Sequence, residues 1–528
     1  MTRSWLACLL LLSVATSALP AQTRATLAGA DSAWKSGDRM RARSLYAEVL
    51  AMDSTASRAV FRLAQLESSD ERALALYRRY IVLEPNDPWG YMAEGDLLSR
   101  MGHVDEALVC YEGAHAIAPG ERDVAIGRAR VLERGGRAHQ AADEIAGWTS
   151  LHPDDAEAWD LLGRAQMRAG RPRAAAEAFE RAERLGARGA ATRRVAARAA
   201  AAPAITPEAV SLGDSDGNRT TRFGASIDVM AADGVRLGFR TMRQAIESDI
   251  DAVRGLDVEA RLSATPSALV RLNGAVGIIR FDGITENTTV PGPGPVPGQG
   301  SGQGPPTPPQ GQTGQWQAMA ASARVRLRAP GAGPSLDFRL ERTPVGFNPQ
   351  LIRNHVERSE ARATLELPLS ALRVRGIGRF GRLTSAGEGQ NSRTSLEGAL
   401  ALPLGMWQPS LQYRRTGFTR PSLAGYFAPR LAETMEAGAY VESGDDGLLT
   451  MSADVGGGMQ RVTPHGAVTG AWSRVWRAWG QAALALGPGR SWFVEIEAYD
   501  APFALDGAAA DGSWRFLSVT SGLRWVIR

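Results

Sequence analysis

The chain has 528 residues, enough for two or more domains. Its 60 basic and 56 acidic side chains nearly cancel, to a formal +4, and no block of like charge argues for a nucleic-acid partner. Only two cysteines are present, Cys8 and Cys110, which leaves no room for a disulfide framework.

Residues 1–21 read as a secretory signal peptide. Arg3 supplies a positive start, Leu6 to Ala18 form a short apolar run, and small residues stand at Ala18 and Ala21. The run is too short to span a bilayer, and no other stretch reaches the ~18 consecutive apolar residues that a transmembrane helix needs. Cleavage near Ala21 would remove Cys8. Cys110 then reads as a small core residue.

Residues 26–198 carry a helical repeat. Ala42, Ala73, Ala107, Ala141 and Ala175 are spaced by 31, 34, 34 and 34, and each is followed four residues later by Tyr46, Tyr77, Tyr111, Ile145 or Phe179. That period and that step belong to the tetratricopeptide repeat, a helix–turn–helix hairpin that buries its apolar face only by stacking on neighbours. The i, i+4 step puts the alanine and the large residue on one helix face. Gly37, Gly102, Gly136 and Gly170 fall at the turns within hairpins, and Pro85, Pro119 and Pro153 close their repeats. The reading is an α-solenoid of about five repeats that binds a partner. The Ala/Arg-rich run from Arg184 to Ala202 is expected to continue as helix into a linker at 199–207.

From residue 208 to 528 the pattern changes to period two. Val325 and Leu327 alternate with Arg324, Arg326 and Arg328; Trp492, Val494 and Ile496 alternate with Glu495 and Glu497. Segments of about ten residues, apolar on one face and polar on the other, are the signature of a transmembrane antiparallel β-barrel. Sixteen such segments can be counted, from 208–213 to 514–527, of which the first is the weakest and 469–486 is not cleanly alternating. Short connections (Asp233-Gly234, Pro266-Ser267, Pro330 to Gly333, Asp445-Asp446, Gly487 to Arg490) alternate with long ones at 283–315, 345–357, 419–432 and 502–513. The short turns are expected in the periplasm and the long loops outside. Residues 290–312, rich in Pro, Gly and Gln, are expected to be disordered.

The polar face supplies the candidate lumen residues: Arg236, Arg240, Asp257, Glu259, Arg261, Arg324, Arg326, Arg328, Arg362, Glu366, Arg373, Arg375, Arg379, Glu495 and Glu497. Interleaved carboxylates suit a neutral polymer, whereas an acidic one would want an unbroken basic track. No constellation points to catalysis, a cofactor or a metal. Gly376, Gly378 and Gly381 spell G-x-G-x-x-G, but within one strand pattern and not ahead of a helix. Asp214, Asp216 and Asn218 begin like a calcium loop, yet Arg219 and Ala225 stand where Gly and Glu are needed. A tight hairpin is the simpler reading.

The combination resembles the cellulose synthase operon protein C family, outer-membrane subunits of bacterial cellulose secretion. Asp214-Ser215-Asp216-Gly217-Asn218 is similar to the family's D-S-D-G-N turn, Arg342-Thr343-Pro344-Val345 to its R-x-P-V stretch, and Gly425-Tyr426-Phe427-Ala428-Pro429-Arg430 to its Y-F/Y-S-P-x segment. Family members carry many more repeats. The resemblance implies an outer-membrane export channel for a cellulose-like polysaccharide, with the repeats in the periplasm. Its expected partners are the glycan in the pore, outer-membrane lipid, and a periplasmic or inner-membrane synthase bound through the repeats. The alternative is a non-exporting porin or an assembly scaffold.

Overall fold

The computed structural model describes residues 26–249, 251–267, 269–285, 313–329, 333–443, 448–487, 489–500 and 515–527. The signal-peptide and 290–312 readings, the Asp445-Asp446 turn and the 502–513 connection lie outside the described residues. The chain divides into two compact units, Met1–Arg134 and Gly135–Arg528.

The first unit holds α1 (Leu27–Lys35), α2 (Arg39–Met52), α3 (Ser57–Leu66), α4 (Asp70–Leu83), α5 (Pro88–Arg100), α6 (Val104–Ile117) and α7 (Arg122–Arg134). Their starts follow local chemistry. Asp38, Ser69 and Asp87 each accept a hydrogen bond from a backbone N–H of the first turn of α2, α4 and α5, and Pro88 opens α5. Gly37 and Gly102 turn the chain with φ of 81° and 87°, where a side chain would be strained. Ala42, Tyr46, Ala73, Tyr77, Ala107 and Tyr111 are all buried. A Cβ on Gly95 would stand 2.8 Å from the Tyr111 ring, so glycine on one helix makes the seat for the aromatic on the next. The buried tyrosines keep their hydroxyls paired: Tyr46 donates to Asp31 at 2.6 Å and Tyr111 to Asp96 at 2.8 Å.

Cys110 lies half-buried on α6. Burial, with Glu94 beside it, pushes its thiol from 9.0 up to about 12. The folded thiol therefore keeps its proton over a range where the unfolded one has lost it, so this group's contribution to stability is present below pH 9 and is lost as pH rises above that. Iodoacetamide labelling at Cys110 of the native protein is expected to keep accelerating beyond pH 10. A rate that levels off near pH 9 would contradict the burial.

The second unit begins with α8 (Ala138–Leu151), α9 (Ala156–Arg168), α10 (Pro172–Arg184) and α11 (Ala190–Ala201). Ala141, Ile145, Ala175 and Phe179 are buried, and a Cβ on Gly163 would stand 2.5 Å from the Phe179 ring. The run from Arg184 to Ala202 is not one continued helix. Gly186 and Gly189, at φ 85° and 75°, break it before α11.

The barrel strands are β1 (Ala204–Asp214), β2 (Arg219–Ala232), β3 (Val235–Ser248), β4 (Asp251–Ser267), β5 (Val270–Thr285), β6 (Thr313–Arg328), β7 (Ser335–Pro344), β8 (Glu357–Leu369), β9 (Leu372–Ser385), β10 (Gly389–Ala401), β11 (Trp407–Phe418), β12 (Leu431–Glu442), β13 (Leu449–Thr463), β14 (Ser473–Gly487), β15 (Arg490–Tyr499) and β16 (Phe516–Val526). Each pairs antiparallel with the next, and β1 pairs with β16, closing a sixteen-strand barrel. A short helix, α12 (Pro349–Arg353), lies between β7 and β8.

Three sequence boundaries move. The expected linker at 199–207 is divided between α11 and β1, leaving only Ala202 and Pro203 between them. Pro207, which reads as a break, sits inside β1 where the β1–β16 register skips Thr206 and Pro207. Pro266 and Ser267 belong to the end of β4, and β14 starts at Ser473 rather than 469. The Asp214–Asn218 segment is a tight turn. The Asp214 carboxylate accepts from the backbone N–H groups of Asp216 and Asn218, both at 3.0 Å.

The last repeat is tied to the barrel's short-turn end. The Asp233 carboxylate, on the β2–β3 turn, accepts from the N–H groups of Arg173 and Ala174 at 3.1 and 3.0 Å and so caps α10. The Arg173 side chain donates to the carbonyls of Met230 and Ala231, and the Gly234 N–H donates to the Gly170 carbonyl. Arg236 reaches the carbonyl of Ala200 near the end of α11 at 3.0 Å.

Candidate functional site: the barrel lumen

Alternation along the strands sorts the barrel residues onto two faces. One face carries Phe223, Leu237, Phe239, Val276, Ile278, Phe338, Leu396, Leu411, Ile496 and Leu517, each exposed by more than two fifths. No helix among the described residues is long and apolar enough to cross a membrane. Trp407, Trp492 and Trp525 lie on the same face at the short-turn ends of β11, β15 and β16. An apolar outer band edged by aromatic rings is the arrangement of a barrel facing lipid.

The other face is charged, and the register brings charges from successive strands together. All fifteen candidate residues stand on this inward face. Arg240 lies 3.5 Å from Asp257 and 3.3 Å from Glu259. Arg261 lies 3.4 Å from Asp228. Arg324 and Arg326 share Asp337 at 2.7 and 2.8 Å. Glu397, with a side chain only 4% exposed, meets Arg414, Arg379 and Arg375 at 3.1, 3.4 and 3.6 Å. Across the barrel, Arg477 joins Glu436 and Asp454 at 2.8 and 2.6 Å. Glu495 and Glu497 share the inward face of β15, opposite Gln481 and Trp479. Arg328 and Arg373 stand at the short-turn ends of β6 and β9, and Arg362 and Glu366 line a cavity with Arg375.

Sequence reasoning left out many of these partners. Asp228, Asp337, Glu341, Glu397, Glu436, Asp454 and Arg477 carry the ion pairs, and each could have been found by extending the inward parity of its strand. Gly376, Gly378 and Gly381 all lie in β9.

At the long-loop end the inward face changes character. Ile246, Val253, Phe281 and Trp316 point inward on β3 to β6 and pack with Ile352 of α12. Leu383 and Phe418, inward on β9 and β11, pack with Val345, Leu351, Val356 and Tyr426. The connection 345–356 is therefore folded into the mouth of the barrel. Asn348 caps α12 by accepting from Leu351 N–H at 2.9 Å. Asn354 donates to the Ala424 carbonyl at 2.9 Å and accepts from Ala386 N–H at 2.8 Å. Arg353 pairs with Asp251 at the β3–β4 turn, and the His355 ring stacks on Trp316 at 4.8 Å. Tyr426 is buried, accepting from Asn391 at 3.3 Å, so it packs the 419–430 connection. Beneath the plug lies a cavity of about 250 Å³ bounded by Arg222, Arg240, Asp257, Glu259, Pro344 and Gly346. Lower on the same wall is one of about 670 Å³.

Tetratricopeptide repeat models match residues 27–88 and 98–165. No curated protein matches the chain. Among solved structures, a bacterial polysaccharide outer membrane secretin is similar at 11% identity, with 62% of this chain and 99% of that chain covered and a TM-score of 0.42. A MamA protein is similar at 19% identity over 31% of this chain and 90% of its own, with a TM-score of 0.28. MamA from Desulfovibrio magneticus RS-1 is similar at 22% identity over 25% and 76%, with a TM-score of 0.24.

Proposed function

We propose that this chain is an outer-membrane channel through which an exopolysaccharide leaves the cell, with its tetratricopeptide repeats in the periplasm. The observation that carries this reading is a closed sixteen-strand barrel that is apolar outside and charged inside. Sixteen strands are wide enough for an aqueous passage. A wall of paired charges favours a hydrated chain and offers no single deep site, which is what continuous passage requires. The role is conduction, not catalysis. The repeats supply a stacked surface for a periplasmic or inner-membrane partner such as a synthase. The D-S-D-G-N, R-x-P-V and Y-F-A-P stretches support a cargo of the cellulose type.

Deleting the gene and measuring secreted polysaccharide, typed with glycan-specific hydrolases, tests the reading. The expected result is loss of one polymer, restored by the intact gene and not by the repeats alone. A cellulase-sensitive loss supports cellulose; a resistant one keeps the channel and changes its cargo. Unchanged secretion would overturn export in favour of a porin or scaffold.

A further inference from the structure

We propose that the cargo carries oxyanionic groups, held in transit by a band of arginines around one wall of the short-turn half of the lumen. This rests on the export reading and changes its cargo, from the neutral cellulose-like chain that single-strand patterning suits to a chain bearing anionic groups.

The band is a product of strand register. Arg324 of β6 pairs directly with Arg339 of β7, Arg339 with Arg362 of β8, and Arg362 with Arg379 of β9. Four neighbouring strands thus place an arginine at one level of the ladder. Arg271 of β5 pairs with Arg326 in the same way. Like charges directly opposite one another destabilise a sheet, so a fourfold row is not what stability alone selects.

Local carboxylates only partly offset it. Asp337 serves Arg324 and Arg326, Glu341 serves Arg339 at 2.8 Å, and Glu397 serves Arg379. Among the described residues no ion pair forms at Arg271, Arg328, Arg362 or Arg373. The side chains of Arg324, Arg326 and Arg339 are 39%, 38% and 44% exposed, so their guanidinium groups are solvated and reachable. They line the 670 Å³ cavity and an adjoining one of about 170 Å³.

A guanidinium fork fits an oxyanion with two hydrogen bonds, and at ~4.8 Å between strands four of them span about 14 Å of wall. That length suits successive charges on a chain better than a single ion. On the far wall Arg477 takes up Glu436 and Asp454, and Glu495 and Glu497 of β15 would hold an anionic chain to the basic side. On β5 to β9 the inward positions below Phe281 and Trp316 carry no aromatic ring on which a neutral sugar face would stack. Partial neutralisation by Asp337, Glu341 and Glu397 keeps the grip weak enough for movement.

Carboxylate and phosphate substituents share this chemistry, and the test separates them. Full-length protein in detergent is titrated with tetragalacturonate, a phosphorylated maltotetraose and cellotetraose. At least one anionic probe is expected to bind at least tenfold more tightly than cellotetraose, to weaken with salt, and to lose about tenfold in the R339Q/R362Q double variant. Preference for one anionic probe identifies the substituent. Heat-modified gel mobility checks that the variant is folded, and R339K/R362K is expected to recover binding in part. Cellotetraose binding as tightly as both anionic probes, no anionic binding, or unchanged affinity in a folded R339Q/R362Q protein would each overturn the inference. A secreted polymer that depends on the gene yet is uncharged would overturn this inference alone; secretion independent of the gene would overturn export itself.

Discussion

Excising Phe347–Asn354 and joining Gly346 to His355 is expected to raise single-channel conductance in planar bilayers on the order of tenfold, because an apolar constriction excludes water and ions from a pore. The segment brings Leu351, Ile352 and, just beyond, Val356 into the mouth, and all three are fully buried. Their seats are Ile246, Val253, Phe281, Leu383 and Phe418, all at inward positions near the long-loop ends of their strands. The segment is held on several sides. Thr220 of β2 donates to the Phe347 carbonyl, Asn354 bonds Ala386 and Ala424, and Arg353 pairs with Asp251. A substitution of the milder kind, Leu351→Asp, should loosen the apolar cluster and give intermediate, flickering currents. Equal conductance in the excised and native proteins would mean that the mouth is not the narrow point.

Replacing Glu397 by glutamine should be among the most damaging single changes in the barrel wall. Glu397 is the shared counter-charge of Arg375, Arg379 and Arg414, and its side chain is almost wholly removed from solvent. Removing one member of a buried pair leaves uncompensated charge and costs about 3–5 kcal/mol. Here three arginines would face one another across β9, β10 and β11. The expected readout is a lower urea midpoint for barrel unfolding, followed by heat-modified gel mobility. A second replacement, Arg379→Met, should recover part of the loss by removing one of the unpaired charges. If E397Q unfolds at the native midpoint, the wall is solvated enough that its ion pairs contribute little.

The two halves were unequally legible in the sequence. The repeat was plain because each hairpin repeats the same contact, a small alanine and a ring four residues on, and Tyr46, Tyr111 and Phe179 are buried as that contact requires. The strand count was legible for a similar reason, since alternation is local. The start of β1 was not, because Pro207 interrupts the ladder to β16, some three hundred residues away, and pairing with β2 is what carries the strand through it. The plug was hidden by its brevity: α12 is five residues long and shows no period. A trace of it is nonetheless present, in apolar residues at inward parity near the long-loop ends of β3, β4 and β5. The fourfold arginine row needed register, and register depends on turn lengths that pattern alone does not supply. With single strands in view the basic residues look scattered; only pairing makes them a continuous band.

The carboxylate of Asp233 has a mechanical consequence. With Ala202 and Pro203 alone between α11 and β1, and α10 capped by the β2–β3 turn, the final hairpin has no slack with which to swivel. A tug on α10 is delivered to the hairpin at the start of the barrel wall and not dissipated in a tether. The end of the solenoid thus behaves as a bracket rather than a leash.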